Sequence, residues 1–144
     1  MRTLAAVAVV AIAAGMVAAC ADEPSAAGTT EPPAYSFDAG SLDPAAQRYL
    51  DAVAARDDDA VAAAFTPDAT VTDVSREIRG REAIRRWAAD EVIGGVYTLL
   101  GHSPRAGGTT MLLRFRRGSG DGFRATYRFD ITDGLITRAD LRYA

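Results

Sequence analysis

The sequence predicts an α+β domain in which helices come first and an antiparallel sheet follows. Apolar residues recur at helical spacing between positions 44 and 92. After position 95 they alternate with polar residues in four runs separated by glycine-rich turns, as in a strand meander. The chain has 144 residues, and its folded part, roughly 100 residues long, is large enough for one hydrophobic core.

Residues 1–19 have the pattern of a bacterial signal peptide. Arg2 supplies a positive charge, and an uncharged apolar run extends from Leu4 to Ala19. The sequence Val-Ala-Ala-Cys at 17–20 resembles the lipobox of bacterial lipoproteins, which implies that Cys20 carries a lipid such as palmitate. We therefore expect a lipoprotein on the extracytoplasmic side of the cell membrane. Secretion with Cys20 incidental and an uncleaved apolar anchor are the alternatives.

Residues 20–40 predict a flexible tether, and residues 41–144 predict the domain that it carries. The tether is rich in Ala, Pro, Gly, Thr and acidic residues, and its apolar residues have no period. We do not expect such a composition to bury enough surface to fold.

The charged and ligand-forming residues exclude several kinds of function. Sixteen Arg and no Lys stand against nineteen acidic residues, and a formal charge of -3 disfavours a nucleic-acid partner. One His and one Cys are too few for most zinc, haem or iron–sulfur sites. We expect no metal, no cofactor and no nucleic acid.

Two helices are predicted at the start of the domain. Asp43 and Pro44 form a cap followed by proline at the first helical position. The apolar stripe of this first helix is formed by Ala46, Tyr49, Leu50, Val53 and Ala54. Aspartates 57–59 then cap a short second helix from Ala60 to Phe65, which ends before Pro67.

A strand and a third helix follow. Residues 69–73 alternate, so that Ala69, Val71 and Asp73 share one face of a strand, with the carboxylate in line with the core. A loop is expected over 75–80. The apolar positions of the third helix are Ile84, Trp87, Ala88 and Val92, and this helix ends before Gly94.

Four strands complete the domain, at 96–103, 109–116, 123–131 and 135–143. Their apolar side chains share one face. The members of this face are Met111, Leu113, Phe115, Phe123, Ala125, Tyr127, Phe129, Ile131, Leu135, Thr137, Ala139, Leu141 and Tyr143. The opposite face, called the outer face below, consists of Arg114, Arg116, Arg124, Arg128, Asp130, Arg138, Asp140 and Arg142. An ion-paired solvent surface, contact with anionic lipid and a homodimer interface are the three interpretations of the outer face.

The segment from Arg48 to Trp87 resembles the opening of SnoaL-like domains in the nuclear transport factor 2 (NTF2-like) superfamily. Its most distinctive parts are Asp-Ala-Thr-Val-Thr-Asp at 68–73 and Gly-Arg-Glu-Ala-Ile at 80–84, and Asp-Gly-Leu-Ile at 133–136 fits the last hairpin. The resemblance covers the chain from Ser41 onward. It implies a cone in which three helices pack on a curved antiparallel sheet and enclose a pocket.

Ketosteroid isomerase, a relative in this superfamily, uses an Asp base and an oxyanion hole made of a Tyr and a protonated Asp. The resemblance implies that Asp73 matches the base and Tyr49 the oxyanion tyrosine. Tyr127 stands where the isomerase has its second acid, so the third catalytic element is absent or altered. In the structural alternative, Asp73 pairs with Arg76 or Arg79, and Tyr49 belongs to the core.

These residues predict a binding domain for a small, largely apolar molecule. Besides Asp73, Tyr49 and Tyr127, the predicted pocket is lined by Val71, Trp87, Phe115, Leu141 and Tyr143, although Trp87 also fits a simple core position. The first alternative is a cofactor-independent isomerase or cyclase, which would place Asp73 and Tyr49 in one open cavity. The second is a protein- or membrane-interaction module that uses the outer face.

Overall fold

The computed structural model describes residues 40–144, which form a six-stranded sheet with helices packed on one face. The predicted α+β class and the predicted cone are confirmed. The predictions for Cys20, for residues 1–19 and for nearly all of the tether lie outside the described residues. Within residues 40–144, no helix is long and apolar enough to cross a membrane.

The first helix begins at the predicted Pro44, whereas the second begins at Asp58, two residues before the predicted Ala60. The bounds of the helices are α1 Pro44–Ala54, α2 Asp58–Ala63 and α3 Arg81–Trp87. The Asp43 side chain accepts a hydrogen bond of 2.8 Å from the Ala45 N–H, and the Asp57 side chain accepts one of 2.9 Å from the Ala60 N–H. A π-helical turn, Ala88–Val92, follows α3 directly.

The strands are β1 Phe65–Asp73, β2 Arg76–Arg79, β3 Gly95–Arg105, β4 Gly108–Arg117, β5 Phe123–Thr132 and β6 Leu135–Tyr143. Their order in the sheet is β2-β1-β6-β5-β4-β3, and every pair is antiparallel except β1 with β6. The parallel pair places Asp73 beside Leu141, at the end of the sheet where β6 terminates.

Two boundaries between Ala60 and Gly80 differ from the prediction. The second helix ends at Ala63, and β1 already begins at Phe65 and runs through Pro67. The pairing with β6 shifts between Phe65 and Thr70, and this irregularity lets a residue without an N–H lie within a strand. The expected loop at 75–80 contains the short edge strand β2.

The predicted apolar face needs three corrections. At the start of β6 the buried residue is Ile136, whereas Leu135 and Thr137 are only half-buried, because the register shifts between Asp130 and Ile131 of β5. Phe123 is 43 % exposed and Tyr143 is 67 % exposed. Both lie at the end of the sheet, beyond the cover of the helices.

The core lies between the helices and the inner face of the sheet. Tyr49 of α1 is at its centre, with ring centroids 5.3 Å from Phe129 and 6.0 Å from Phe65 in edge-to-face contacts. The outer face is exposed or half-buried along its whole length, as predicted.

Candidate functional site

The Asp73 carboxylate ends β1 at the open end of the cone. Its Oδ2 atom accepts hydrogen bonds from the Arg76 guanidinium at 2.8 Å and from the Trp87 indole at 3.3 Å. The side chain remains 28 % exposed. The alternative in which Asp73 pairs with Arg76 therefore describes the observed geometry, whereas Arg79 pairs with Glu77 instead.

Arg76 also contacts Glu91, at 2.8 Å, and so joins the end of β1 to the π-helical turn. The hydrogen bonds that the Arg76 guanidinium donates to Glu91 and Asp73 raise its pKa. Val74, in the turn that carries Arg76 back toward Asp73, has a positive φ of 60°. The Arg76 side chain is 53 % exposed, so this bridge lies over the site and not in the core.

Three phenols, the phenol cluster, lie inward of Asp73; those from α1 and β5 are buried, and the one from β3 is half-buried. They are Tyr49, Tyr97 and Tyr127. The Tyr97 and Tyr127 hydroxyls are 2.6 Å apart, and the Tyr49 ring lies 6.2 Å and 6.4 Å from the rings of Tyr97 and Tyr127. The buried Tyr49 hydroxyl has no well-formed hydrogen bond to any described residue. A buried polar group without a partner is unusual and requires an explanation.

The pKa values of the phenol cluster all lie above their ordinary range. Burial is the main cause for each, because it disfavours the charged phenolate. The Asp73 charge adds to the rise of the pKa of Tyr49 and of Tyr127, whereas the interaction with the Tyr97 hydroxyl opposes the rise for both. The three hydroxyls are therefore neutral hydrogen-bond donors at neutral pH.

A small cavity of about 50 Å³, the mouth, opens beside Asp73. It is lined by Asp73, Val74, Phe123, Ala125, Tyr127, Leu141, Arg142 and Tyr143. The mouth has room for a water molecule or two, whereas sites for drug-sized ligands measure roughly 300 to 1,000 Å³. In this conformation the cone is mostly filled by side chains.

The structure brings the predicted site residues into one contiguous region. Tyr127, Leu141 and Tyr143 line the mouth with Asp73. Trp87 donates to Asp73, and Val71 is fully buried in the adjoining core. Tyr49 lies deeper and does not line the mouth, so Asp73 and Tyr49 do not share one open cavity.

Phe115 extends the aromatic wall toward β3. Its ring lies 4.9 Å from Tyr97 and 5.5 Å from Phe123, and Phe123 lies 5.1 Å from Tyr143. Gly95 makes this packing possible, because a Cβ atom at that position would collide with the Phe115 ring. The result is a continuous row of rings from the phenol cluster to the solvent-exposed end of the sheet.

A wider groove lies between α1 and β3, with a volume of about 570 Å³. Leu50, Val53, Val96, Tyr97 and Leu99 contribute its apolar side chains. Tyr97 lines this groove and Tyr127 lines the mouth, so the two cavities border the phenol cluster at different members.

Sequence reasoning missed Tyr97, Glu91 and Phe123 as members of the site. Tyr97 had a detectable signal: in the antiparallel register it lies opposite Phe115, a residue already assigned to the pocket. Glu91 had no detectable signal in the sequence, because its contact with Arg76 depends on the π-helical geometry of Ala88–Val92.

The site is equipped for hydrogen bonding. Among residues 40–144, no group of three or more His, Cys, Asp or Glu side chains is arranged to hold a metal ion. The phenol cluster offers donors to an acceptor atom, such as a carbonyl oxygen. A base at Asp73 would first have to leave its ion pair with Arg76.

Comparison with known proteins identifies the family. The model of the SnoaL-like domain matches residues 46–139, and no curated protein matches the chain significantly. A Sinorhizobium meliloti structure provisionally named a polyketide cyclase is 31 % identical, with 68 % of this chain and 93 % of that chain covered and a TM-score of 0.61.

Two more distant structures share the fold. A Kribbella flavida protein provisionally named a ketosteroid isomerase is 19 % identical over 69 % of this chain and 75 % of that one, with a TM-score of 0.61. A Mycobacterium tuberculosis protein in complex with estradiol-17beta-hemisuccinate is 18 % identical over 69 % of this chain and 91 % of that one, with a TM-score of 0.59. The family match spans most of the described residues, and the chain belongs to the SnoaL-like domain family.

Proposed function

We propose that the domain binds a small, largely apolar molecule with one hydrogen-bond acceptor, at the mouth and against the phenol cluster. The observation that carries this proposal is the Tyr49 hydroxyl, which is buried next to Tyr97 but has no hydrogen bond of normal geometry to a described residue. An unpaired buried hydroxyl costs about 1 to 3 kcal/mol, and an acceptor atom of a ligand would remove that cost.

The electrostatics of the site favour a neutral acceptor. The pKa values of the phenol cluster are raised, so its hydroxyls stay protonated and donate. The Asp73 charge nearby would repel an anionic group. A ketone, quinone or ester oxygen on an apolar body fits these conditions.

Ligand binding requires the mouth to widen, because its present volume is about 50 Å³. The bridge of Arg76 to Asp73 and Glu91 is the part that can move at least cost, since Arg76 is half exposed and partly exposed ion pairs contribute little stability. The exposed rings of Phe123 and Tyr143 would then cover the apolar body of the ligand.

The alternative is an enzyme of the isomerase or cyclase type, with Asp73 as base and Tyr49 as oxyanion donor. The names of the S. meliloti and K. flavida structures favour it. Two features of this chain oppose it: Asp73 is paired with Arg76, and Tyr127 stands where a second acid is expected. Turnover would require a ligand that displaces Arg76 and brings a carbon acid to Asp73.

The proposed location is the extracytoplasmic side of a bacterial membrane, with the lipid on Cys20. The support is the lipobox-like sequence at 17–20, where the single Cys occupies the position that the pattern requires. Cys20→Ser is expected to abolish partitioning of the full chain into detergent. Unchanged partitioning would mean that Cys20 is not the anchor point.

Trp87 provides the test of ligand binding. It is the only tryptophan of the chain, and its indole contacts Asp73 at the mouth. We would titrate the full chain with 1,4-naphthoquinone, with phenol and with estradiol hemisuccinate while following Trp87 fluorescence. A saturable change with at least one probe is expected. A strictly linear response to all three probes would contradict the proposal.

Matched variants locate the bound probe. Phe123→Ser alters the wall of the mouth, and Leu99→Ser alters the groove between α1 and β3 in the same way. Binding at the mouth is expected to weaken with Phe123→Ser and to persist with Leu99→Ser. The reverse result would move the site to the groove.

A further inference from the structure

We infer that the outer face of the sheet docks onto an anionic lipid surface. The two halves of the domain differ in charge. Residues 41–92 contain seven Arg and eleven acidic residues, whereas residues 93–144 contain eight Arg and four acidic residues. Because the second range supplies the strands β3 to β6, the excess of positive charge is concentrated on the sheet.

Most of the arginines on the outer face have no acidic partner among residues 40–144. The Asp140 carboxylate is paired with Arg142, and the Asp130 carboxylate is paired with Arg105 from the sheet edge. Both acids of this face are therefore engaged. The arginines left without an ion pair to a described residue are Arg114, Arg116, Arg124, Arg128 and Arg138.

Three of these arginines form a group at the same end of the sheet as the mouth. Arg114 and Arg124 are direct partners across β4 and β5, and Arg116 follows two residues later on β4. Like charges directly opposite each other destabilise a sheet. An anionic surface would offset the repulsion between these arginines. We therefore expect this end of the sheet to approach the surface.

Exposed apolar side chains lie at this same end. Val96 is 51 % exposed, and as the direct strand partner of Arg116 it lies on the outer face. Phe123 and Tyr143, which are 43 % and 67 % exposed, lie on the opposite face of the sheet but at the same end. Aromatic and aliphatic side chains interleaved with arginines are typical of surfaces that enter the headgroup region of a bilayer.

This combination favours a bilayer over two other partners. A second copy pairing through the same face would bring two sets of unpaired arginines together, which is unfavourable without acidic partners. A soluble polyanion would use the charges but leave Val96 in water. Docking at a bilayer places the mouth next to the lipid phase, where apolar molecules are concentrated. The inference stands whether or not the mouth binds a ligand.

The test uses the full chain with Cys20→Ser, so that no attached lipid dominates membrane binding. We would measure its binding to vesicles of phosphatidylcholine alone and to vesicles that also contain phosphatidylglycerol. The apolar segment at 4–19 is expected to contribute equally to binding of both kinds of vesicle. The ratio of the two affinities therefore isolates the attraction to anionic lipid.

Two variants with equal charge change provide the comparison. Arg114→Gln/Arg116→Gln/Arg124→Gln removes the group on the outer face. Arg56→Gln/Arg79→Gln/Arg86→Gln removes three exposed arginines from the acidic half of the domain. The outer-face variant is expected to lower the preference for anionic vesicles by about tenfold or more, and the control by less than about twofold. High salt is expected to abolish the preference.

Three results would overturn the inference. One is equal affinity for both kinds of vesicle. Another is an equal loss of affinity in the two triple variants, which would reflect net charge alone. The third is a dimer of the full chain that dissociates in the outer-face variant, measured by sedimentation velocity, because the face would then be occupied by a second copy.

Discussion

The hydroxyl of Tyr97 lies 2.6 Å from the hydroxyl of Tyr127, although β4 separates the strands β3 and β5 that carry them. The curvature of the sheet and the length of two tyrosine side chains bring the groups together. Tyr49 reaches the same place from α1 but forms no well-ordered hydrogen bond with the described residues. The hydroxyls of Tyr97 and Tyr127 thus form a hydrogen bond with each other, and the Tyr49 hydroxyl remains without one of normal geometry within residues 40–144.

Tyr49→Phe is expected to leave the free energy of unfolding unchanged or to raise it by up to about 1 kcal/mol, because the hydroxyl that it removes is buried without a partner. Tyr127→Phe is the matched control and is expected to cost about 1 kcal/mol, because it breaks the bond to Tyr97. Urea unfolding measures both. A loss of more than about 2 kcal/mol in Tyr49→Phe would show that its hydroxyl is already paired.

Stability is expected to fall as pH rises above about 10, the ordinary pKa of tyrosine. The unfolded chain releases its phenolic protons there, whereas burial keeps the pKa of Tyr49, Tyr97 and Tyr127 higher in the folded state. The unfolded state then binds fewer protons, so the free energy of unfolding decreases, with a slope approaching about 4 kcal/mol per pH unit for three phenols. Tyrosinate absorbance and circular dichroism measure the transition.

The three phenols of the cluster are expected to ionise only as the domain unfolds, because the pKa of each is raised in the folded state. Their part of the absorbance change should coincide with the loss of the circular dichroism signal. Complete titration of every tyrosine before any loss of secondary structure would contradict the burial of the phenol cluster.

Asp73→Asn is expected to lower the free energy of unfolding by no more than about 1 to 2 kcal/mol. It removes a partly exposed ion pair with Arg76 but leaves an amide oxygen that can accept from Trp87. Glu91→Gln removes the other carboxylate that contacts Arg76 and is expected to cost a similar amount. A much larger loss for Asp73→Asn alone would mean that this carboxylate mainly holds the end of β1 in place.

Arg76→Ala is expected to open the mouth. It removes the bridge to Asp73 and Glu91, so probes should associate faster, and a stopped-flow measurement of Trp87 fluorescence gives the rate. Arg79→Ala removes the exposed pair with Glu77, away from the mouth, and is expected to leave the rate unchanged. Equal rates in wild type and Arg76→Ala would show that the bridge does not limit access.

The sequence predicted the parts of the site that depend on strand periodicity. Alternation alone placed Tyr127 and Leu141 on the inner face, and the motif at 68–73 placed Asp73 at the end of β1. These assignments need only the two-residue repeat of a strand. The capping aspartates before α1 and α2 could also be predicted from the sequence, because capping is a local property.

The rest of the site depends on relationships that a linear sequence does not contain. Tyr97 joins Tyr127 across an intervening strand, which requires the curvature of the sheet. Ile136 replaces Leu135 in the core because of a register shift in the partner strand β5. The contact of Arg76 with Glu91 requires both the turn at Val74 and the π-helical turn.

The most direct test of the proposed function compares wild type and Tyr49→Phe, as full chains, for affinity toward 1,4-naphthoquinone by titration of Trp87 fluorescence. The proposal predicts binding that weakens about tenfold in the variant, the equivalent of one hydrogen bond, without loss of stability. Ser119→Ala, in the exposed turn before β5, is the control and is expected to bind as wild type does. Equal affinity in wild type and Tyr49→Phe would contradict the role given to the Tyr49 hydroxyl.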